Sequence, residues 1–393
     1  MPKRLVYLDN AATTAVRPEV LDALLPYLGR DAFGNPSSAH RFGRAARAGV
    51  EEAKRAIAAA LGGGVEPGQV IFTSGGTEAD NLAVIGSALA ARARGGPFRV
   101  AVSAIEHKAV LAAAHAVTQL GGEEIIMPVD GAGAVVPDAL DEALARGVAV
   151  VSVMWVNNEV GTVQPIAWLA GRCREAGVPF HVDAVQAFGK LPVSLRDVPC
   201  TFLTLSGHKI GAPKGIGALI VRDRHAVEAI IHGGGQQFGI RPGTENVPGI
   251  VGLGKAAELA AREQAEFAAR VAGLRDALER RLLDIVPDAT INAAQAVRAP
   301  HVSSVSIPGT DSEALLMHLD LVGIACSSGS ACSTGAVEPS HVLSAMGVPR
   351  ELGVAALRFS FGRDNTAEDV EVVIGALPKI VEKVRALAAV LHR

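Results

Sequence analysis

Between residues 69 and 219, short apolar runs alternate with amphipathic helical patterns, and this alternation constrains the fold more than any other feature. The clearest helical patterns cover residues 77–94 and 108–120. The apolar runs occupy residues 69–72, 98–102, 124–127, 148–153, 179–182 and 201–205. Strands that alternate with helices predict a mostly parallel sheet flanked by helices on both faces. In such α/β sheets, ligands bind in the crevice beyond the carboxyl ends of the strands.

A second structural unit is expected after this region. A helical pattern without a breaker covers residues 254–283 and is long enough to bridge two domains. Strand-like runs follow at residues 301–307 and 356–361, with a final helix from residue 367. This mixture of strands and short helices indicates a smaller α+β domain.

The length of the chain supports a division into two domains, because 393 residues exceed one ordinary hydrophobic core. We expect a large domain over residues 13–254. The small domain would combine residues 1–12 with residues 255–393 and would carry a loop at about residues 325–337.

The composition argues against several classes of protein. The formal net charge of −3 gives no electrostatic reason to expect nucleic acid or an anionic membrane as a partner. No apolar stretch of about 18 residues predicts a membrane span, and the first residues lack the apolar core of a signal peptide. The cysteines are too few for a disulfide framework and match no zinc motif, which favours a reducing cytoplasm. They are Cys173, Cys200, Cys326 and Cys332.

A glycine-rich turn at residues 73–79 follows the first apolar run and opens a helix. Its glycines allow a ligand to approach the backbone closely, and the start of a helix attracts an anion. A purely structural turn explains the same residues equally well. The turn lacks the Walker lysine and the spacing of the dinucleotide fingerprint, so a nucleotide is not favoured.

Polar side chains follow several of the other runs, at the edge where a crevice is expected. His107 and Asn158 each come just after a run, and either side chain could bind a ligand or cap a turn. Asp183 either caps the next helix or pairs with a protonated ring nitrogen. Lys209 directly follows apolar strand residues, and desolvation there would favour a neutral, nucleophilic amine. Exposed loop lysines are far commoner, so only the complete set favours a cofactor site.

Two further residues are candidates for chemistry. Arg358 lies inside an alternating strand pattern, where it would bind a carboxylate or form an interior salt bridge. Cys332 lies in a run of small residues that cannot form a core, which predicts an exposed loop. An accessible thiol of this kind is a candidate nucleophile.

With these motifs in hand, the chain resembles cysteine desulfurases of the NifS/IscS type, in the class V group of fold-type I enzymes that use pyridoxal 5′-phosphate (PLP). The resemblance covers essentially the whole chain. The motifs that carry it lie at residues 7–14, 73–81, 106–108, 157–159, 181–186, 206–217, 241–244 and 357–363. The most specific part is the stretch 328–332 followed by 338–341, which is typical of desulfurases with a long cysteine loop.

The resemblance implies both a reaction and partners. L-cysteine would be converted to L-alanine, with transfer of sulfur to Cys332 as a persulfide. The sulfur would supply iron–sulfur cluster or related thio-cofactor biosynthesis through an acceptor such as an iron–sulfur scaffold protein. The protein would be a homodimer without a resident metal, although Cys332 could serve as a transient iron–sulfur ligand during transfer.

The resemblance also implies roles for individual residues. Lys209 would hold PLP covalently and act as the base. Asp183 would pair with the ring nitrogen, Gln186 would bond to the ring hydroxyl, and His107 would stack on the ring and shuttle protons. The phosphate would be bound by Gly76, Thr77, Ser206 and His208 and, from the other subunit, by Thr244. Asn158 would make a further cofactor contact. Arg358, Asn158 and Asn35 would hold the substrate carboxylate.

Rival interpretations remain open at this point. An aminotransferase or a selenocysteine lyase would use the same cofactor, and a non-catalytic protein with this fold would act as a partner or regulator. Cys326 is interpreted as a small buried residue rather than as the partner of Cys332 in an inactivating disulfide. Housekeeping desulfurases use a longer C-terminal tail to dock their scaffold, so the use of that partner is also open.

Overall fold

The computed structural model describes residues 4–328 and 338–391. The helices are α1 (Pro18–Leu28), α2 (Arg41–Ala60), α3 (Gly76–Ala93), α4 (Lys108–Gln119), α5 (Pro137–Ala145), α6 (Ile166–Glu175), α7 (Val247–Ile285), α8 (Ser312–Leu321), α9 (His341–Ala345), α10 (Arg350–Gly353) and α11 (Ala367–Leu391). The strands are β1 (Val6–Tyr7), β2 (Val70–Thr73), β3 (Arg99–Ser103), β4 (Glu123–Met127), β5 (Val150–Ser152), β6 (Phe180–Asp183), β7 (Phe202–Ser206), β8 (Gly217–Val221), β9 (Thr290–Ile291), β10 (Val302–Ser306), β11 (Ile324–Ala325) and β12 (Ala356–Ser360).

The central sheet contains seven strands in the order β2-β8-β7-β6-β5-β3-β4. The strands from β7 to β4 in this order are parallel, whereas β8 runs antiparallel to both β2 and β7. All residues of β6, β7 and β8 are buried, as expected of strands that helices cover on both faces. The predicted α/β fold with a mostly parallel sheet is confirmed.

A second hydrophobic cluster lies outside this sheet. It contains Val6 and Leu8 from the N-terminal segment, together with apolar side chains between residues 271 and 384. Strands β12, β10 and β9 form an antiparallel sheet here, and β1 pairs with β11 in parallel. The N-terminal segment thus completes the small unit, whose exact boundaries stay a prediction. Helix α9 belongs elsewhere, because Val342 and Leu343 pack into the core of the large sheet.

Helix α7 connects the two cores. It spans 39 residues, packs on α1 and α2 near its start, and reaches α11 further along. The sequence pattern predicts its start at about Gly254, but the helix begins about two turns earlier, because Asn246 caps it by accepting from the Gly249 amide. Gly254 is a packing residue rather than a boundary. A Cβ there would lie 2.7 Å from the Ala53 Cα, so glycine lets α7 approach α2 closely.

Within the described ranges, no helix is both long and apolar enough to cross a membrane.

Candidate functional site

A cavity of about 300 Å³ lies at the carboxyl ends of the central strands. Parallel strands bring their ends to one edge of a sheet, so residues distant in sequence meet there. The cavity is lined by these sequence-predicted residues: Gly76, Thr77, His107, Asn158, Asp183, Gln186, Ser206, His208, Lys209 and Arg358. Because these residues line one cavity, they can contact the same bound molecule, as their predicted roles require.

The glycine-rich turn after β2 supplies one end of this cavity. Helix α3 begins at Gly76, and its first amide groups have no partner within the helix. The turn is held from behind, since the Thr73 hydroxyl donates to the Gly75 carbonyl and the Glu78 carboxylate accepts from the Ser74 amide at 2.7 Å. Gly76 and Thr77 line the cavity and therefore offer a fixed anion-binding site, suited to a phosphate.

Lys209 follows β7 and presents its amine to the cavity. Its Nζ donates to the carbonyls of Ala11 at 2.6 Å and Ala12 at 2.8 Å, and it forms no salt bridge in the described part of the chain. Burial, together with the positive charge of Arg358, lowers the pKa of Lys209 to about 8. A substantial fraction of this amine is neutral near physiological pH, as a nucleophile or base requires.

Asp183 ends β6 and is 5% exposed. One of its oxygens accepts from the Val185 amide at 2.9 Å, and no described cationic side chain forms a salt bridge with it. Burial raises the pKa of Asp183. A buried carboxyl without a cationic partner is costly, so a cationic group bound in the cavity would stabilise its charged form.

His107 and Gln186 occupy fixed orientations beside these two groups. The Nδ1 of His107 accepts from the Ala109 amide at 3.1 Å, and burial lowers the pKa of His107, so the ring is neutral and its Nε2 carries the proton. Gln186 donates from Nε2 to the Ala11 carbonyl at 2.8 Å, while its Oε1 lies 3.1 Å from His301 Nε2. One N–H of Gln186 remains for a ligand.

Arg358 lies on β12 and joins the small unit to the cavity. It donates from Nη2 to Asp9 at 2.7 Å and from Nη1 to the Asn158 carbonyl at 3.0 Å. The interior salt bridge considered from the sequence is therefore present, and its partner is in the N-terminal segment. Sequence reasoning did not single out Asp9, although it lies within the motif at residues 7–14.

A second acidic residue of the cavity, Asp80, was also missed. It is 2% exposed, and its Oδ1 has no hydrogen-bond partner among the described residues. Burial and the nearby Asp183 raise the pKa of Asp80 well above its usual range. The available signal was its position one helical turn beyond Gly76, on the face of α3 that points back to the cavity.

Two predicted site residues within the described ranges, Asn35 and Thr244, do not line this cavity. Asn35 accepts from the Ser37 amide at 2.9 Å in the segment before α2. Thr244 follows Arg241, which forms a salt bridge of 2.7 Å with Glu78 on α3. Cys332 lies outside the described residues, so its predicted role as nucleophile stays a prediction.

The described residues that flank Cys332 are attached to the site. Ser327 and Arg358 exchange backbone hydrogen bonds, and the Ser327 amide donates to the Arg358 carbonyl at 3.1 Å. Beyond Cys332, the Ser340 hydroxyl donates to Glu159, and His341 Nε2 lies 2.9 Å from the Glu106 carbonyl. Both flanking segments therefore end beside residues that line or adjoin the cavity.

Cys326 is partly buried against the small hydrophobic cluster. Burial, reinforced by the negative charge of Asp9, raises the pKa of Cys326 to about 12. The thiol is therefore protonated at neutral pH and is a poor nucleophile. Its possible pairing with Cys332 falls outside the described residues.

The donor set of the cavity fits PLP. A buried carboxyl with no cationic partner among the described residues suits a protonated ring nitrogen. An amine held only by backbone carbonyls suits a carbonyl carbon, and the start of α3 suits a phosphate. The neutral His107 ring lines the same cavity and offers a flat surface to the cofactor ring. Asp183, Lys209, His107 and the turn at Gly76 would together hold this cofactor.

Known proteins match the chain along its length. The family described as Aminotransferase class-V matches residues 6–373. A cysteine desulfurase IscS of Dictyoglomus turgidum is 43% identical over 386 residues, covering 98% of this chain and 97% of that protein. A cysteine desulfurase of Cereibacter sphaeroides is 47% identical over 386 residues, with the same two shares of 98% and 97%. A solved structure of a NifS-like protein, 34% identical, covers 98% of this chain and 100% of its own with a TM-score of 0.86.

These matches confirm the family resemblance that the motifs indicated. The chain belongs to the class-V aminotransferase family, and its cofactor is PLP.

Proposed function

We propose that this protein is a cysteine desulfurase that converts L-cysteine to L-alanine and receives the sulfur on Cys332 as a persulfide. One observation carries the proposal: a single cavity brings together Lys209, Asp183 and Arg358, in a chain similar over its length to proteins named cysteine desulfurase. The sulfur would serve iron–sulfur cluster or related thio-cofactor biosynthesis.

Lys209, Asp183, Gln186 and His107, with the amides of the turn at Gly76, would hold PLP. When bound, PLP supplies an electron-withdrawing ring that stabilises negative charge at the α-carbon of the substrate. Asp183 would hold a proton on the ring nitrogen by charge pairing. Gln186, already fixed by Ala11 and His301, would use its remaining N–H for the ring hydroxyl.

Lys209 is the base of the proposed reaction. Its pKa of about 8 gives a neutral amine that can take the α-proton of cysteine and return a proton to the product. Arg358 would bind the substrate carboxylate, with Asp9 holding the guanidinium in place from the other side. Asn158 and Asn35 are proposed to assist this binding.

The Cys332 thiolate would then attack the sulfur of the substrate. The new S–S bond forms as the C–S bond breaks, and the electron pair that leaves with the carbon takes up a proton to give alanine. The persulfide would pass to an acceptor protein. This step needs an exposed thiol, which the small residues around Cys332 favour.

A homodimer is part of the proposal. Helix α1 exposes Leu21, Leu25 and Leu28, which lie on one face at helical spacing, and Phe33 beyond the helix is 62% exposed. An apolar stripe of this kind favours contact with a second copy. Thr244 does not line the cavity of its own chain, which agrees with a contribution to the partner's phosphate site. The cytoplasmic location expected from the sparse cysteines stays a prediction.

The decisive experiment incubates the PLP-loaded protein with L-cysteine, measures alanine, and locates added sulfur by mass spectrometry of peptides. We expect one equivalent of alanine in the first turnover and one additional sulfur atom on the Cys332 peptide. A Cys332→Ala variant that still released sulfide at the full rate would favour an aminotransferase-like enzyme, and protein that bound no PLP would favour a non-catalytic role. A higher rate with selenocysteine than with cysteine would favour a selenocysteine lyase.

A further inference from the structure

Lys190 is a second buried lysine close to Lys209, and no described acidic side chain pairs with it. It is 5% exposed and forms no salt bridge within the described residues. Burial of an unpaired ammonium is strongly unfavourable, so such a lysine becomes neutral or has a special partner. The roles proposed so far for the site do not explain why a lysine occupies this position.

The contacts of Lys190 lead directly to the site. Its Nζ donates to the backbone carbonyl of Lys209 at 3.1 Å and lies 3.5 Å from the carbonyl of Val185. Val185 belongs to the turn after β6, between Asp183 and Gln186. The two turns that carry the cofactor-binding side chains are therefore tied to one amine.

The backbone of Lys190 is fixed independently of its side chain. Gln264, on the helix α7 that connects the two cores, donates from Nε2 to the Lys190 carbonyl at 3.1 Å. Lys190 and Lys209 also both line a second cavity, of about 660 Å³, whose lining does not include Asp183. Lys190 is thus held at its own backbone while its side chain contacts the backbone of Lys209.

We propose that Lys190 is a positioning residue: its buried Nζ donates to the turns after β6 and β7 and so fixes Lys209 relative to Gln186. The inference rests on the proposed function, because the placement of Lys209 matters through its bond to PLP. A neutral amine carries two N–H groups, which is enough for the two carbonyls it faces.

The electrostatic surroundings favour the neutral form. Burial, reinforced by the charge of Lys209, lowers the pKa of Lys190 to about 7. The histidines near it are neutral for the same reason, since burial lowers the pKa of His301 and of His208. Arg358, Asp183 and Asp9 act on Lys209. The larger cavity that Lys190 lines also holds charged side chains, none of which forms a salt bridge with Lys190; they are Arg17, Glu263, Glu266, Arg270, Arg363 and Asp364.

Three substitutions separate hydrogen bonding from charge. Lys190→Met removes the N–H donors, Lys190→Gln has the same length as methionine but restores neutral N–H donors, and Lys190→Arg keeps donors with a permanent charge. The measurements are the affinity of the apoprotein for PLP and the circular dichroism of the bound cofactor band. Neither depends on turnover.

We expect Lys190→Met to weaken PLP binding about five- to tenfold and to change the circular dichroism of the cofactor band, as expected for lost hydrogen bonds at a positioned group. Lys190→Gln should recover part of both properties, and Lys190→Arg should recover neither. Wild-type affinity and spectrum in the methionine variant would overturn the proposal. The proposal would also be overturned if Lys190→Arg recovered PLP affinity and the spectrum while Lys190→Gln did not. This comparison can be made even if the methionine variant fails to fold.

The two hypotheses fail in different ways. Protein that binds PLP but transfers no sulfur from cysteine would refute the proposed function and leave the role of Lys190 supported by the binding data. Sulfur transfer at the wild-type rate, with unchanged PLP affinity and spectrum in all three variants, would refute the role of Lys190 alone.

Discussion

Asp9 and Arg358, which are 349 residues apart, form a salt bridge of 2.7 Å that fixes the N-terminal segment against β12 at the edge of the cofactor cavity. The arginine is nearly buried, and its carboxylate partner orients the guanidinium before any substrate arrives. Because Asp9 uses one nitrogen and the Asn158 carbonyl another, the direction left for a substrate carboxylate is defined by these two contacts.

Substitution of Asp9 by asparagine should therefore affect substrate binding more than turnover. We expect KM for L-cysteine to rise about tenfold, because loss of a charge-assisted hydrogen bond allows Arg358 to move. The kcat should change less than threefold. Asp141→Asn, which removes an exposed salt bridge with Arg172, is the control and should leave both constants unchanged. An effect confined to kcat would contradict this role for Asp9.

Lys209 should react with PLP in its neutral form, and the pH midpoint of this reaction should be far below the pKa of an ordinary lysine. Its pKa is lowered to about 8, so the neutral fraction rises as pH increases through that value. The rate of covalent PLP binding by the apoprotein, followed by absorbance, should increase between pH 6.5 and 9 and then level off. A rate that kept rising towards pH 10.5 would show an unperturbed amine, and Lys209→Arg should form no covalent bond at any pH.

The sequence predicted the elements that carry the site better than the pairs that complete it. Asp183 is the last residue of a strand, and Lys209 and His107 come a few residues after the ends of two others. The carboxyl ends of parallel strands must meet, so local patterns sufficed to bring these residues together. Asp9 and Arg358 are joined only by tertiary folding, and Asp80 looks like an ordinary polar residue in a helix until α3 packs on β7. Strand β8 was not among the apolar runs recognised from the sequence, so the antiparallel position in the sheet was missed.

Glu106 provides a test of burial through the pH dependence of stability. Burial raises the pKa of Glu106 to about 8, although Ser103 and the Met154 amide donate to it. Between pH 4.5 and 8 the unfolded chain is deprotonated at this residue while the folded chain keeps its proton, so this residue's contribution to stability falls as pH rises through that window.

Glu106→Gln removes that dependence. The free energy of unfolding of the variant minus that of the wild type should be larger at pH 8 than at pH 5 by about 2 to 3 kcal/mol. Urea titration at both pH values measures this difference. If the free energies of unfolding of the variant and the wild type differ by the same amount at pH 5 and at pH 8, Glu106 is ionised in the folded protein. Glu142→Gln, at an exposed position of α5, serves as the control and should show no such change.

Cys326 and Cys332 should differ completely in function. Cys332→Ser should abolish the persulfide and reduce alanine formation by at least a hundredfold. Cys326→Ser should keep both, because burial raises the pKa of Cys326 to about 12 and leaves almost no thiolate at neutral pH. Peptide mass spectrometry after incubation with cysteine distinguishes the two sites, and added sulfur on the Cys326 peptide would contradict the assignment.

The exposed face of α1 gives a test of the dimer that uses a matched pair of leucines. Leu25 on α1 is 48% exposed and Leu387 on α11 is 50% exposed, so a glutamate at either position enters a similar amount of solvent. If α1 packs on a second copy, Leu25→Glu should bury a charge in the interface and shift the protein towards a monomer in sedimentation, with weaker PLP binding because Thr244 of the other subunit is lost. Leu387→Glu should remain a dimer with wild-type affinity. Dimers of unchanged stability in the Leu25→Glu variant would place the interface elsewhere, and a monomer that kept full PLP affinity would remove Thr244 from the phosphate site.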